Sequence, residues 1–186
     1  MPSVPLRAQV RAWARPVRYR ARVLTAPARA LPDFVILGAQ KAGTTSLYAY
    51  LCAHPDVRAA ARKEVHYFDL NYARGATWYR SMFPLAAGLA RERRGGRRVL
   101  VGEASPYYLF YPLAAERAGA VVPSAQLIVL LRDPVERAWS HYRHEVKAGR
   151  EPLEFEAALA AEPTRLAGAD AALRAGASPE AHRASR

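Results

Sequence analysis

The stretch Asp33-Phe-Val-Ile-Leu-Gly-Ala-Gln-Lys-Ala-Gly-Thr-Thr-Ser-Leu-Tyr-Ala-Tyr-Leu51 decides the fold. Its apolar run, residues 34–37, predicts a short buried strand, and Gly38 and Gly43 bound the loop that follows. After the loop, apolar residues recur with the spacing of a helix that packs on a sheet: Leu47, Tyr50 and Leu51. This order predicts a site for phosphate or sulfate, because the first helical turn has amides without partners at the positive end of the helix dipole.

Side chains in and after this loop add hydrogen-bond donors: Lys41, Thr44, Thr45 and Ser46. The two glycines have the separation of the ATP- and GTP-binding loop G-x-x-x-x-G-K-[ST], but Thr44 stands where that motif has its lysine. In an NTPase this lysine contacts the outer phosphates, and the next hydroxyl holds Mg²⁺. A cation three residues earlier, at Lys41, favours a different anion. A P-loop phosphotransferase or NTPase, and a plain strand-to-helix turn, are the alternative interpretations.

Polar residues also follow other predicted strands. A strand near residues 57–60 precedes Glu64 and His66, and a parallel strand delivers its next residues to the crevice where ligands bind. Both side chains are therefore expected to face the same cleft as Lys41, the alternative for Glu64 being a solvated surface charge. A strand over residues 99–101 is followed by groups that we expect to be available at the same edge: Ser105 and the hydroxyls of Tyr107 and Tyr108.

The clearest strand signal is the continuous apolar run over residues 126–131, which is typical of a buried parallel strand. Asp133 is expected to be the N-cap of the next helix, with Pro134 at its first position. An earlier stripe with helical spacing is predicted to face the core: Trp78, Tyr79, Met82 and Phe83. Weaker helical patterns cover residues 153–161 and 166–175.

Four blocks together resemble the sulfotransferases that use 3′-phosphoadenosine 5′-phosphosulfate (PAPS), most closely the heparan-sulfate-type and related bacterial branch. They are Gly38-Ala-Gln-Lys-Ala-Gly-Thr-Thr45, Lys63-Glu-Val-His-Tyr-Phe-Asp69, Gly102-Glu-Ala-Ser-Pro-Tyr-Tyr108 and Leu131-Arg-Asp-Pro-Val-Glu-Arg-Ala-Trp-Ser-His-Tyr142. They occur in the family's order and span about residues 33–150. The resemblance implies a P-loop-containing α/β fold, in which a parallel sheet is flanked by helices in three α/β/α layers.

The resemblance also implies a reaction, the transfer of a sulfuryl group from PAPS to a hydroxyl or amine of a glycan, lipid or small-molecule acceptor. Adenosine 3′,5′-bisphosphate would be the product, and no metal would be needed. The 3′-phosphate is assigned to Arg132 and Ser140. The phosphosulfate is assigned to the loop and the first helical turn: Lys41, Ala42, Gly43, Thr44, Thr45 and Ser46.

Three residues are implied in catalysis: Lys41, Glu64 and His66. Glu64 would take the acceptor proton as general base, and His66 would orient Glu64 or share its role. Lys41 would stabilise the negative charge that builds on the leaving phosphate oxygen. The sequence departs from the heparan-type enzymes at Ala104, where those enzymes commonly have a lysine, so one cationic contact is absent or supplied elsewhere.

Composition bounds the partners and the compartment. The 28 Lys and Arg residues against 16 Asp and Glu give a formal charge of +12, which favours anionic partners. The basic run over residues 91–98 has no interleaved aromatic residue, so a nucleic-acid partner is not expected. Cys52 is the only cysteine, which suits a reducing compartment. With neither a secretory signal nor an apolar run of ~20 residues, we expect a cytoplasmic protein without a membrane span.

The chain divides into two predicted regions. Residues 1–32 are basic and rich in proline, which predicts a flexible arm, with a short amphipathic helix over residues 8–14 as the alternative. Residues 33–186 are expected to form the sulfotransferase-like domain. No further apolar strand follows Leu131, whereas domains of the resembling family continue with another strand and a basic loop. We therefore expect a C-terminally truncated domain, and a non-catalytic nucleotide-binding remnant is a further alternative.

Overall fold

The computed structural model describes residues 19–175. Its four strands form one parallel sheet in the order β2-β3-β1-β4. The strands are β1 (Phe34–Gly38), β2 (Val57–Ala59), β3 (Leu100–Ala104) and β4 (Gln126–Val129). The helices are α1 (Thr44–Ala53), α2 (Gly75–Arg80), α3 (Ala86–Arg93), α4 (Ala114–Val121), α5 (Pro134–Lys147), α6 (Phe155–Leu166) and α7 (Ala169–Arg174). Short 3₁₀ helices cover Ala26–Ala28, Tyr72–Arg74 and Pro106–Leu109.

The two faces of β1 pack on different layers, as the alternation of a strand requires. Phe34 and Ile36 pack with Tyr48 of α1 on one face. Val35 packs on the other face with a larger cluster that includes the predicted stripe of α2 and the turn after it: Trp78, Tyr79, Met82 and Phe83. These four side chains are at most 7% exposed. The predicted core stripe and the three-layer α/β/α fold are therefore confirmed.

Two glycines allow close packing around β1. A Cβ atom at Gly102 of β3 would lie 2.0 Å from the ring of Phe34, its partner in the parallel ladder. A Cβ atom at Gly38 would lie 2.6 Å from the Cβ atom of Leu109. Because Gly38 has no side chain, the 3₁₀ turn Pro106–Leu109 can pack directly on the carboxyl end of β1, where the loop of the candidate site begins.

The buried face of α1 agrees with the prediction in part, because Leu47 and Leu51 pack on the cluster beneath the helix. Thr44 and Tyr48 are buried, whereas Tyr50 is 75% exposed. The hydroxyl of Tyr48 donates to the carbonyl of Gly102 (3.0 Å) and accepts from the amide of Ala60 (3.0 Å), and these bonds fix the helix to the sheet. The helix begins at Thr44, so its buried stripe runs through residues 44 and 48, and the prediction that Tyr50 packs on the sheet was wrong.

Strand β4 is also less buried than predicted. It lies at the edge of the sheet, and Leu127 and Val129 are 57% and 43% exposed, followed by Leu131 at 81%. These three residues share one face, which packs on no layer among the described residues. Ile128, which points to the opposite face, packs with Phe34 and Ile36. The apolar run therefore indicated a strand correctly, but full burial was wrong.

Part of the predicted flexible arm packs on the domain. The guanidinium of Arg22 donates to the carbonyls of Ser81 (2.6 Å) and Phe83 (3.0 Å). Arg29 is 9% exposed and donates to the same Phe83 carbonyl (2.7 Å). Residues 19–32 are thus held against the domain, contrary to a flexible arm over the whole segment. The rest of the arm, with the alternative helix over residues 8–14, lies outside the described residues, as does the tail 176–186.

Within the described range, 19–175, no helix combines the length and the apolar character needed to cross a bilayer.

Candidate active site

The loop between β1 and α1 is held to the neighbouring strand ends by backbone hydrogen bonds. The amide of Ala39 donates to the carbonyl of Leu130 (2.8 Å), and the Leu130 amide donates to Gly38 (2.8 Å). Gly43 is the N-cap of α1 and has a φ of 93°, a conformation that glycine adopts at no steric cost. The loop therefore ends by directing the first turn of α1, with its unpaired amides, toward the carboxyl edge of the sheet.

A cavity of about 440 Å³ opens at this edge. It is lined by residues from four separate parts of the chain, including most of the predicted site: Lys41, Gly43, Thr44, Thr45, Glu64, Arg132 and Ser140. His141, His144, Glu145 and Arg150 complete the wall formed by α5 and the turn after it, and Gln40 and Pro106 lie at the base. The structure thus brings the predicted phosphosulfate loop, the predicted base and the predicted 3′-phosphate residues into one pocket.

Three predicted site residues do not line this cavity. The amide of Ala42 donates to the carbonyl of Ala39 (3.2 Å), so it is used within the loop. Ser46 is exposed on α1, beyond the two threonines that reach the cavity. His66 lies behind Glu64 with a side chain that is 12% exposed. Ala42 and Ser46 therefore lie outside the lining of this cavity, and their contacts with the cofactor stay predictions, as does the catalytic role of His66.

Arg132 connects the loop after β1 with the first turn of α5. Its Nη1 donates to the carbonyl of Lys41 (3.3 Å), and its Nη2 lies 2.9 Å from Oε2 of Glu136. Asp133 caps α5 as predicted, because its Oδ1 accepts from the amide of Glu136 (3.0 Å). Ser140 lies about two turns further along α5. Arg132 and Lys41 therefore face one pocket, which is the condition for a single nucleotide to contact both.

Glu64 lies between a lysine and a histidine. Nζ of Lys63 is 2.6 Å from Oε1 of Glu64, and Nε2 of His66 is 3.3 Å from Oε2. The other ring nitrogen of His66, Nδ1, lies 2.6 Å from Oδ2 of Asp69, whose side chain is fully buried. The imidazole thus joins a buried carboxyl group to the carboxyl group that lines the cavity.

These contacts set the charges of the pair. The hydrogen bond from His66, helped by Lys63, lowers the pKa of Glu64 to about 2 against the opposing effect of burial. Burial alone would lower the pKa of His66, but hydrogen bonds to Asp69 and Glu64 outweigh it and raise this pKa to about 9. At neutral pH the site therefore holds an ionised Glu64 beside a protonated His66.

A second carboxyl group, Glu103, is completely buried at the end of β3. Its Oε1 accepts from the hydroxyls of Tyr79 (2.6 Å) and Tyr108 (3.3 Å), and its Oε2 accepts from the hydroxyl of Ser105 (3.2 Å). Burial raises the pKa of Glu103 to about 7, although all three hydroxyls act in the opposite direction. The expectation that Ser105 and the tyrosine hydroxyls serve the cleft was wrong, because Ser105, Tyr107 and Tyr108 are buried.

The same hydroxyls hold the turn that carries the predicted base. Oγ of Ser105 accepts from the amide of His66 (3.1 Å), and the Tyr108 hydroxyl accepts from the amide of Tyr67 (2.7 Å). The amide of Glu64 donates to the carbonyl of Ala104 (3.0 Å). Glu103 is thus connected to the amide of His66 through the Ser105 hydroxyl and to the amide of Tyr67 through the Tyr108 hydroxyl. These buried bonds hold the turn that carries Glu64.

The three predicted catalytic residues share an unusual backbone conformation. Lys41, Glu64 and His66 have φ values of 66°, 56° and 53°, and they are the non-glycine residues with positive φ in the part of the chain that the structure describes. Such left-handed residues are strained and concentrate at sites where the surrounding structure enforces them. The hydrogen bonds to Ala104, Ser105 and Tyr108 provide that enforcement for the turn at residues 64–66.

Sequence reasoning missed two residues of this arrangement. Asp69 follows His66 by three residues within a block that was recognised, and an acid at that spacing from a histidine is the signal that was available. Glu103 is the charged residue in the otherwise uncharged strand Leu100–Ala104, which is a sign of a buried polar role. Among the described residues, no group of three His, Cys, Asp or Glu side chains is arranged to hold a metal ion.

Comparison with known proteins agrees with this geometry. Residues 32–182 match the model of the family described as Sulfotransferase family. The membrane-associated sulfotransferase kil1 of Dictyostelium discoideum is 39% identical over 117 residues, 63% of this chain and 24% of that protein. The heparan sulfate glucosamine 3-O-sulfotransferase 3B1 of Mus musculus is 36% identical over 131 residues, 70% of this chain and 31% of that protein.

A solved structure shows the same fold. The crystal structure of a sulfotransferase from Alicyclobacillus acidocaldarius superposes with a TM-score of 0.51 at 35% identity, covering 84% of this chain and 64% of that one. The chain therefore belongs to the Sulfotransferase family, and the predicted family and fold are confirmed. It spans 24% and 31% of the length of the two curated relatives above.

Proposed function

We propose that this chain binds PAPS and carries the catalytic groups of a sulfotransferase that acts on a hydroxyl or amine. The observation that supports this most directly is the single cavity lined by Lys41, Glu64, Arg132 and Ser140. A cation in the anion loop, a carboxylate base and a second anion site lie in one pocket. The family match and the structural similarity to a sulfotransferase support the same reaction.

The residues present suit PAPS as donor. Arginine contacts phosphate oxygens through two parallel hydrogen bonds, so Arg132, with Ser140, is suited to the 3′-phosphate. Lys41 and the first turn of α1 are suited to the 5′-phosphosulfate. When bound, PAPS would supply the sulfuryl group: its bond from sulfur to the phosphate oxygen breaks, a bond from sulfur to the acceptor forms, and adenosine 3′,5′-bisphosphate leaves.

Glu64 is the group that would take the acceptor proton. His66 is unsuited to that role because its pKa of about 9 keeps it protonated at neutral pH. The low pKa of Glu64 reflects its bonds to His66 and Lys63, and a base so strongly paired accepts a proton poorly. An acceptor that displaces Lys63 from Oε1 would raise the basicity of Glu64, while His66 and Asp69 keep the carboxylate oriented. Lys41 would stabilise the charge that develops on the leaving phosphate oxygen.

Isothermal titration of the full chain tests the donor. We expect adenosine 3′,5′-bisphosphate to bind at least about tenfold more tightly than ATP, because a contact to the 3′-phosphate is worth more than 1.4 kcal/mol. Binding should not change when Mg²⁺ is added or chelated. Mg²⁺-dependent binding of ATP with no preference for the 3′-phosphate would instead support the P-loop phosphotransferase or NTPase.

Transfer itself distinguishes an enzyme from a non-catalytic remnant. The full chain incubated with PAPS and a panel of alcohols and amines should release adenosine 3′,5′-bisphosphate faster than PAPS hydrolyses alone. Binding of the nucleotide without transfer to any member of a panel that includes glycans, lipids and phenols would support the remnant.

A further inference from the structure

A second cavity of about 320 Å³ adjoins the candidate active site. One wall is formed by the turn after β3, where Leu109 and Phe110 are 45% and 44% exposed. The opposite wall is a face of α6 that presents Phe155, Ala158 and Leu159, the last also 45% exposed. We call this space the apolar cleft. Large apolar side chains exposed on both walls of a cavity of this size are typical of ligand sites.

The far wall of the apolar cleft is held in place by aromatic packing. The ring of Phe155 meets those of Trp139 and Tyr142 on α5 edge to face, at centroid distances of 5.0 Å and 5.2 Å. The hydroxyl of Tyr142 donates to the carbonyl of Leu153 (3.1 Å), which fixes the segment that leads into α6. The wall of the cleft that α6 forms is therefore held against α5 by these contacts.

The apolar cleft adjoins the cavity of the candidate active site, which we call the charged pocket. Four residues line both cavities: Gln40, Pro106, His141 and Glu145. The predicted donor contacts, Lys41, Arg132 and Ser140, line only the charged pocket. The two phosphate-bearing ends of the nucleotide require Lys41 and Arg132, so we expect the nucleotide in the charged pocket. The apolar cleft is then available to the acceptor.

The charges around the apolar cleft do not favour an anionic acceptor. Its lining contains three glutamates, Glu145, Glu151 and Glu162, and two arginines, Arg137 and Arg165. Arg165 is already paired with Glu151, and Glu145 is paired with Arg150. With these pairs formed, the lining keeps one glutamate and one arginine, Glu162 and Arg137, so it offers no excess of cations to a sulfated or carboxylated glycan. An uncharged apolar group would displace water from Leu109, Phe110 and Leu159.

We propose that the apolar cleft receives the hydrophobic part of the acceptor, and that the acceptor is an aryl or alkyl alcohol whose hydroxyl reaches the adjoining charged pocket. That the ligand of the cleft is an acceptor rests on the proposed sulfuryl transfer. That the cleft binds an apolar alcohol can be tested by binding alone.

The test is isothermal titration of the full chain with 2-naphthol and, separately, with glucosamine, each with and without saturating adenosine 3′,5′-bisphosphate. We expect 2-naphthol to bind at least about tenfold more tightly than glucosamine. Ala158→Phe fills the cleft and should weaken 2-naphthol binding about tenfold or more, because an overpacked site loses its room for a ring. Ala157→Phe, at an exposed position of the same helix outside the lining, is the matched control and should leave binding unchanged.

Nucleotide affinity and far-UV circular dichroism report whether each variant is folded, and Leu159→Asn provides a second change to the same wall. Equal affinity for glucosamine, or wild-type binding of 2-naphthol in both wall variants, would overturn the proposal. A dimer in sedimentation velocity that Ala158→Phe converts to a monomer would also overturn it, because the cleft would then be covered by a second copy. If 2-naphthol binds but the nucleotide does not, the proposed function fails and the apolar site stands.

Discussion

The two sides of the charged pocket are built in opposite ways. On the side of β3, Glu64 and His66 lie on a turn whose partners, Asp69 and Glu103, are completely buried. On the side of β4, Arg132 follows Leu131, which is 81% exposed, and its ion pair with Glu136 is at the surface. The first side holds Glu64, the proposed proton acceptor, on a turn with buried partners, and the second side exposes Arg132, the proposed phosphate contact. The comparison teaches that buried partners fix the position of a side chain, whereas an exposed cation stays available to a ligand anion.

The largest expected effect is on the side of β3, which we call the buried side. Glu64→Gln keeps the shape of the side chain but removes the proton acceptor, so turnover with PAPS and an accepted alcohol should fall by about 10²–10⁴-fold. Nucleotide affinity by titration should stay near the wild-type value. Glu116→Gln, an exposed glutamate of α4, is the control and should be indistinguishable from wild type. Wild-type turnover in Glu64→Gln would remove this residue from the role of base.

A pair of truncations compares the two sides directly. Ile36 of β1 is fully buried, so Ile36→Ala should lower the free energy of unfolding by about 2–5 kcal/mol. Leu127 of β4 is 57% exposed, so Leu127→Ala should change it by about 0.5 kcal/mol or less. Urea denaturation monitored by circular dichroism measures both. A similar loss of unfolding free energy in the two variants would show that β4 is covered in solution. The contrast between a buried and an exposed side of the sheet would then be wrong.

The pKa of Glu103 makes the buried side sensitive to pH. This pKa is about 7 in the folded chain and near 4.5 when unfolded, so the folded state binds the proton more tightly. Stability is therefore highest below about pH 4.5 for this group and declines as the pH rises to about 7, by about 3 kcal/mol in all. Glu103→Gln removes the ionisation, so it should be more stable than wild type at pH 8 by up to that amount.

Urea denaturation of wild type and Glu103→Gln at several pH values checks this. The difference between the two proteins isolates Glu103 from other titrating groups, including His66, whose raised pKa contributes stability that is lost as the pH rises from about 6.5 to about 9. A difference that does not change between pH 4.5 and pH 8 would show that the pKa of Glu103 is the same in the folded and the unfolded chain.

The smallest of the four effects is expected on the side of β4, the exposed side. Arg132→Ala removes one bidentate phosphate contact and should weaken adenosine 3′,5′-bisphosphate binding by about 10–100-fold. Turnover at saturating PAPS should change much less than in Glu64→Gln. Arg143→Ala, at an exposed position of α5, controls for loss of charge alone. Loss of turnover without loss of affinity in Arg132→Ala would place this arginine with the chemical step instead.

Local patterns accounted for most of the fold. The strand, loop and helix around Gly38 and Gly43, the core stripe through Trp78 and the N-cap at Asp133 were predictable because each depends on residues within about one turn or strand of each other. The face of α1 was not, because Tyr48 and Tyr50 are the same residue type and only the sheet decides which is buried. The exposure of β4 was not predictable either, since it depends on which layers cover the edge of the sheet.

The site divides in the same way. Lys41, Glu64 and Arg132 were found from motif blocks, and the structure places them in one pocket. Asp69 and Glu103 act through side chains that meet only after folding, such as the contact from Tyr79 to Glu103 across 24 positions of the chain. No spacing in the sequence indicates that Ser105 and Tyr108 turn inward to the backbone at residues 66 and 67.

The left-handed backbone at Lys41, Glu64 and His66 has an evolutionary consequence. An L-residue in this conformation is less favourable than glycine by about 1–2 kcal/mol, so glycine at Lys41 would relieve the backbone but remove the cation that we propose binds the phosphosulfate. Selection for a working enzyme and selection for a stable scaffold thus oppose each other at this codon. A gene copy released from the first pressure would drift toward glycine here, and its product would outlast its activity.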